Sequence, residues 1–279
     1  MNHLPSSSKK EVERYLRSGE HDVSSRVWPG ANFLECAQHG NAALRSALIS
    51  VVRKRTSNAT VPNALAELDV SAFARNTVEP MVRGLFPRHE QETVLNVLQN
   101  SIVFLTPTNI NTVLTKMPWL STAWNLANLY LGSYDAELLS DDAPQIVGLS
   151  LETTCYVSVT YFREENRFAD FVVHEAAHLF HNCKREMIGL REIRGREWVL
   201  NIDFDKRETF AYACEAYSRI VKLGDSPGAR RMLLSQYLQG PMPAVGEVEN
   251  SEYVDILGEA VAARNGWKRI LARCAARRR

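Results

Sequence analysis

The sequence predicts a mostly helical α+β protein. Apolar residues recur at helical spacing through much of the chain, as Leu44, Leu48, Val51 and Val52 do. One segment, 145–162, is instead rich in Val, Ile, Thr and Tyr. It alternates in part, with Cys155, Val157 and Val159 set against Tyr156, Ser158 and Thr160. Soon after it, residues 168–182 read FADFVVHEAAHLFHN, an apolar stretch with no Gly or Pro between Asn166 and Glu186. Such a helix is buried on most sides, so its charged and imidazole groups need partners.

The texture changes at Ser140-Asp141-Asp142-Ala143-Pro144. This break suggests a helical N-terminal region, 1–140, followed by a domain at 141–279. In the first region, residues 1 to about 30 read as a mobile arm carrying one short helix, 9–17, stopped near Gly19. A clear helix spans 41–55, and Arg53-Lys54-Arg55 suits its C-terminal dipole. Pro62 and Asn63 open another helical stretch. The pattern stays helical over 71–100, with interruptions expected at Pro80 and Pro87. Residues 102–105 form a strand or a buried link. Thr106-Pro107 resembles an N-cap followed by Pro at N1. Trp119, Trp124, Leu126, Leu129, Tyr130 and Leu131 then make an aromatic core helix ending at Gly132.

In the second region, 145–151 and 153–162 read as a hairpin, and 163–167 as a polar turn before the helix. Residues 184–207 are dense in charge (Arg185, Glu186, Arg191, Glu192, Arg194, Arg196, Glu197) and interrupted by Gly189 and Gly195. They suggest either a mobile charged hairpin that could rim a substrate cleft or a solvated loop, with a short strand at 198–204. A helix over 205–223, a short one over 230–238 and terminal helices at 252–264 and 267–276 complete the chain.

Composition bounds the function. The 279 residues are 45% hydrophobic and 23% charged, as in ordinary globular proteins. With 33 basic against 32 acidic residues, no global field points to nucleic acid or membrane. Arg277, Arg278 and Arg279 read as a solvated helix end. No run approaches the roughly 18 apolar residues of a membrane span, and the start, MNHLPSSSKKEVERY, has no signal-peptide core. The five cysteines (Cys36, Cys155, Cys183, Cys214 and Cys274) are scattered and form no CxxC. They suggest buried thiols in a reducing cytoplasm. Cys183 and Cys214 lie near the His-rich helix in sequence, but packing is their simpler role.

The chemistry-bearing motif is His174-Glu175-Ala176-Ala177-His178. On a helix, positions i and i+4 share one face, so both imidazoles reach one metal and the Glu between them reaches a water on it. The competing reading is a buried helix whose two histidines are satisfied by hydrogen bonds. A catalytic zinc takes three protein ligands and keeps one position open. A third His within the motif is absent, because His181 and Lys184 stand where an extended pattern would have Gly and His. His181 lies too far along a rigid helix to join the first two easily.

The next helix offers carboxylates. Glu208, Tyr212, Glu215 and Arg219 form one stripe, while Ala211, Ala213, Cys214 and Ala216 are small enough for close packing. Asp205-Lys206-Arg207-Glu208 also resembles a capping box. If Glu208 is held at the helix start, Glu215 becomes the ligand.

HEAAH, followed some thirty residues on by ETFAY, resembles the gluzincin metallopeptidases. The likeness in layout runs from about 145 to 219. It implies a zincin-like domain binding Zn²⁺ through His174, His178 and Glu208, with Glu215 free to hydrogen-bond a ligand His. It implies Glu175 as general base, Tyr212 or Tyr161 as a donor to the oxyanion, and a peptide or protein as substrate. Tyr212 is a departure, since family members often carry Asp there. A strand beside the active helix commonly pairs with the substrate in zincins, and 153–162 is the candidate. Two alternatives stand beside this reading: a non-catalytic zinc-binding regulatory module, and a helical interaction protein without metal.

Overall fold

Five helices start in the same way. Asn32, Asp69, Asp170, Ser226 and Asn265 each accept a hydrogen bond, through the side chain, from the backbone N–H three residues on. Each bond satisfies one of the donors that a helix start leaves open.

The computed structural model describes residues 5–24, 26–193, 195–243 and 248–276. The chain forms α1 (Ser6–Ser18), α2 (Phe33–Arg55), the single turn α3 (Asn63–Ala66), α4 (Val70–Leu85), α5 (Arg88–Leu98) and β1 (Ile102–Phe104). It continues with α6 (Ile110–Lys116), α7 (Leu120–Ser133), β2 (Gly148–Leu151), β3 (Thr154–Val157), α8 (Phe171–Asn182) and α9 (Arg207–Leu223). It ends with α10 (Pro227–Tyr237), α11 (Asn250–Ala262) and α12 (Gly266–Cys274). The protein is therefore mostly helical, with one small sheet among the described residues, of strand order β1-β3-β2. No helix among the described residues is long and apolar enough to cross a membrane.

The chain divides into two compact units that interleave in sequence. One comprises residues up to Ala66, Phe104–Val147 and Ser158–Thr160. The other comprises Glu67–Val103, Gly148–Val157 and the residues from Tyr161 onward. The division expected from texture, 1–140 and 141–279, is linear instead.

In the first unit α2 packs on α7 and α1 on α2. The N-terminal residues, expected as a mobile arm, are anchored. Tyr15 is fully buried and donates its hydroxyl to the carbonyl of Leu120 at 2.7 Å. Trp28 is buried and bonds the carbonyl of Asp22. Burying these two rings contributes toward the entropic cost of ordering the segment. Thr106 and Pro107 precede a turn rather than a helix start. The Asn109 side chain accepts from the Thr106 N–H and donates to the Phe104 carbonyl, so α6 begins after it.

In the second unit α8 lies between the β2–β3 hairpin and α9, with α4 also against it. Pro80 does not interrupt α4. Pro80 and Asn76, whose carbonyl loses its helical partner, are both exposed, on the face of α4 where solvent can take that partner's place. A Cβ on Gly84 would sit 2.0 Å from the Trp267 ring, so the missing side chain is what lets α12 pack on α4.

Three local expectations differ from the structure. The second strand stops at Val157, and Val159–Arg163 is a 3-10 turn. Residues 198–204 make only isolated bridges, Lys184 with Trp198 and Ile202 with Ala275. The charged stretch after α8 is pinned rather than mobile. Arg185, 2% exposed, pairs with the buried Glu90 and donates to the Arg191 carbonyl. A buried cation needs such partners, whereas sequence shows only its charge. Arg194 of that stretch and the basic end 277–279 lie outside the described residues.

Candidate metal centre

Asp170 starts α8 one turn before His174, and the i, i+4 spacing then turns His174 and His178 to the same side. Their Nε2 atoms are 3.0 Å apart. Glu208, on the first turn of α9, brings one carboxylate oxygen to 3.8 Å from the His174 Nε2 and the other to 3.5 Å from the His178 Nε2. Four ligands at zinc distances of 2.0–2.1 Å would be about 3.3 Å from one another in a tetrahedron. The two imidazoles are slightly closer than that, each meets its nearer Glu208 oxygen slightly beyond it, and one donor atom per residue can be taken with all three within 4.8 Å of one another. Two imidazoles and a carboxylate form a donor set taken by zinc and its first-row neighbours. The donor chemistry and spacing therefore fit a metal.

The close approach of α9 follows from its small residues. Ala211, Ala213 and Cys214 are fully buried. The expected capping box does not form at its start. Lys206 occupies the N-cap without a side-chain bond, and Asp203, not Asp205, uses its carboxylate on a backbone N–H just upstream.

Each histidine is also held from behind. Glu215 accepts from the His174 Nδ1 at 3.0 Å, and its other oxygen accepts from the Asp170 N–H at 2.8 Å. A carboxylate acceptor holds a proton on Nδ1, so Nε2 is the nitrogen that would ligate a metal by giving up its own proton. The His178 Nδ1 lies 3.1 Å from the His181 Nε2. Burial works against a charge on His174, but the hydrogen bond and charge of Glu215 outweigh it and raise this imidazole to about 9. Burial, then the neighbouring His174 and His181, push His178 well below the usual range. Burial and then the Arg207 charge lower His181 to about 3.

Glu175 is 5% exposed, and burial raises its carboxyl to about 7 against the opposing charge of His174. The Ser150 hydroxyl lies 2.7 Å from the carboxylate Oε2 and 2.8 Å from the Glu175 carbonyl. Gly148 closes the other side. A Cβ there would be 2.3 Å from the Glu175 Oε1. Ser150 and Gly148 carry no sequence signal of this role, because a strand contact to a distant helix has no local period. Gly148→Ala is expected to displace the Glu175 side chain and cost about 1–3 kcal/mol, the range for an overpacked core. Denaturant unfolding checks the stability, and an unchanged midpoint would show that the strand gives way freely.

Tyr212 sets its ring edge-on to His174, with centroids 4.4 Å apart. Burial, then the nearby Glu215, raises its phenol to about 12. Tyr161 is placed differently. Its ring packs against Phe73 and Phe171, and its hydroxyl reaches the Asp170 carboxylate at 3.5 Å. The strand expected to receive substrate is also corrected. β3 is central in the sheet, whereas β2 is an edge. Ser158 N–H bonds the Val147 carbonyl, so alternation turns the backbone groups of Gly148 and Ser150 away from β3.

No protein-family model, curated protein or solved structure matches the chain. The functional reading therefore rests on these residues alone.

Proposed function

We propose that the protein is a zinc-dependent hydrolase of gluzincin type, with a zincin-like second unit that cleaves peptide bonds. The observation that carries this is the convergence of the His174 Nε2, the His178 Nε2 and the Glu208 carboxylate on one point. Zinc held there would supply Lewis acidity toward a water and a carbonyl oxygen. Glu215 and His181 keep the two imidazoles oriented with Nε2 toward the site. Glu175 takes a proton from the attacking water and returns it to the leaving amine. Tyr212, beside His174, donates to the oxyanion. The edge of β2 offers backbone groups to an extended peptide. The free, mostly buried thiols agree with a cytoplasmic setting.

The deep burial of Glu175 under β2 favours a second reading, a metal-binding regulatory module without turnover. Metal content is the test common to both. Protein purified without a His tag is expected to hold about one zinc per chain, lost when His174 and His178 both become Ala. Elemental analysis finding no metal in folded wild type supplied with zinc would remove the site altogether.

A further inference from the structure

The first unit carries a groove of about 480 Å³, lined by α2 and the end of α6. Its floor is small or apolar. Ala42, Ser46 and Ser50 stand at every fourth position of α2 and are exposed, with the half-buried Ile49 beside them. Such a row leaves a shallow channel, the kind of surface into which a second helix sets its side chains. Leu34, 64% exposed, lies about three turns before Arg45 on the same face of α2 and extends the apolar strip.

Two arginines line the groove. Arg45 and Arg53 are eight residues apart, about 12 Å along the helix. Both are held in place by uncharged acceptors. The Arg45 guanidinium donates to the Leu114 carbonyl and, at 3.3 Å, to the Asn41 Oδ1. The Arg53 Nε donates to the Asn111 Oδ1 at 3.0 Å. Residues 36–66 and 104–134, which hold most of α2 and all of α6, contain no Asp or Glu. Their cations are Arg45, Arg53, Lys54, Arg55 and Lys116. Among the described residues only Arg55 of these pairs with an acid, Glu137 at 3.5 Å. The dipole of α2 suits Arg53, Lys54 and Arg55 in its last turn, but its effect does not reach Arg45 in mid-helix. With the whole chain at net +1, this face is a local excess of positive charge.

We propose that the groove docks an acidic amphipathic helix of a partner protein. Small and apolar side chains of that helix seat against Ala42, Ser46 and Ile49, and carboxylates two turns apart pair with Arg45 and Arg53. Each guanidinium has five N–H donors. Arg45 uses three within the protein and Arg53 one, so both keep donors for a ligand. A polynucleotide is the poorer fit, because no aromatic ring lines the groove for a base to stack on. The inference does not depend on the hydrolase reading.

The test titrates the full chain by fluorescence anisotropy against labelled Ala-based helical peptides of about 18 residues. One pool carries Glu at two positions two turns apart, with Leu, Ile, Val or Ala between them on that face. The other carries Gln at the same two positions. The Glu pool is expected to bind on the order of 10-fold more tightly, the worth of two surface ion pairs, and to weaken as salt is added. Ser46→Phe fills the exposed channel without changing charge and should abolish binding of the Glu pool. Arg53→Glu reverses one exposed charge and should erase the preference for Glu over Gln. Arg45 is left intact because it also holds the Leu114 carbonyl, and circular dichroism checks that both variants fold. No binding up to about 1 mM, equal binding of the two pools, Glu-pool binding unchanged in Ser46→Phe, or a preference that survives Arg53→Glu overturns the proposal. A single-stranded oligonucleotide that binds more tightly than the Glu pool and displaces it would also overturn it, and would assign the face to nucleic acid.

Discussion

Glu175→Gln is expected to lower peptide hydrolysis by roughly 10²–10⁴-fold, the loss of a general base, while zinc content and folding stay near wild type. The substitution keeps the shape of a side chain that is 5% exposed and walled in by Gly148 and Ser150. The Ser150 hydroxyl can donate to the amide oxygen as it does to the carboxylate. An uncharged group also escapes the burial that raises the native carboxyl. Only the proton-accepting capacity is lost, so the effect should fall on turnover. A rate change of that size corresponds to about 3–5 kcal/mol in the barrier. The assay begins with a peptide library, and wild type and mutant come from identical preparations to control for contaminating proteases. Indistinguishable cleavage by the two would mean that the activity does not use this site. If both hold zinc and neither cleaves, the regulatory module is the better account.

The second large effect separates Glu208 from Glu215. Glu208 places both carboxylate oxygens within 4 Å of an Nε2 atom, whereas Glu215 sits behind His174 on its Nδ1. Glu208→Ala should therefore remove a ligand and weaken zinc binding by more than 100-fold, beyond the about 10- to 100-fold typical of an outer partner. Glu215→Ala should fall in that smaller range. It should also cost stability, about 1–3 kcal/mol, because the buried Asp170 N–H at the start of α8 loses its acceptor. Zinc competition titrations and denaturant unfolding on the two variants read both effects. Wild-type affinity in Glu208→Ala would transfer the ligand role to Glu215.

The local features of the centre are legible in the sequence. The four-residue spacing of His174 and His178 determines that they share a face, since every helix imposes that geometry. The same period puts Glu208 and Glu215 on one stripe of α9, and Ala211, Ala213 and Cys214 mark the side that packs closely. Which carboxylate meets the Nε2 atoms is another matter. The two are seven residues apart, two turns along a helix, and nothing in α9 records where α8 crosses it. Only the packing of the helices decides that Glu208 lies before the imidazoles and Glu215 behind His174.

Long-range pairing decided the rest. Gly148 and Ser150 are ordinary strand residues until the hairpin is laid on α8, where they confine Glu175. Arg185 reads as one charge in a solvated run, yet it is buried because Glu90, far away in the chain, meets it. The residues near Tyr15 look unattached because the groups that bury them are distant in sequence. Helical period and capping act over three or four residues and are written where they act. Contacts between elements depend on crossing points and sheet order, which no short window of sequence contains.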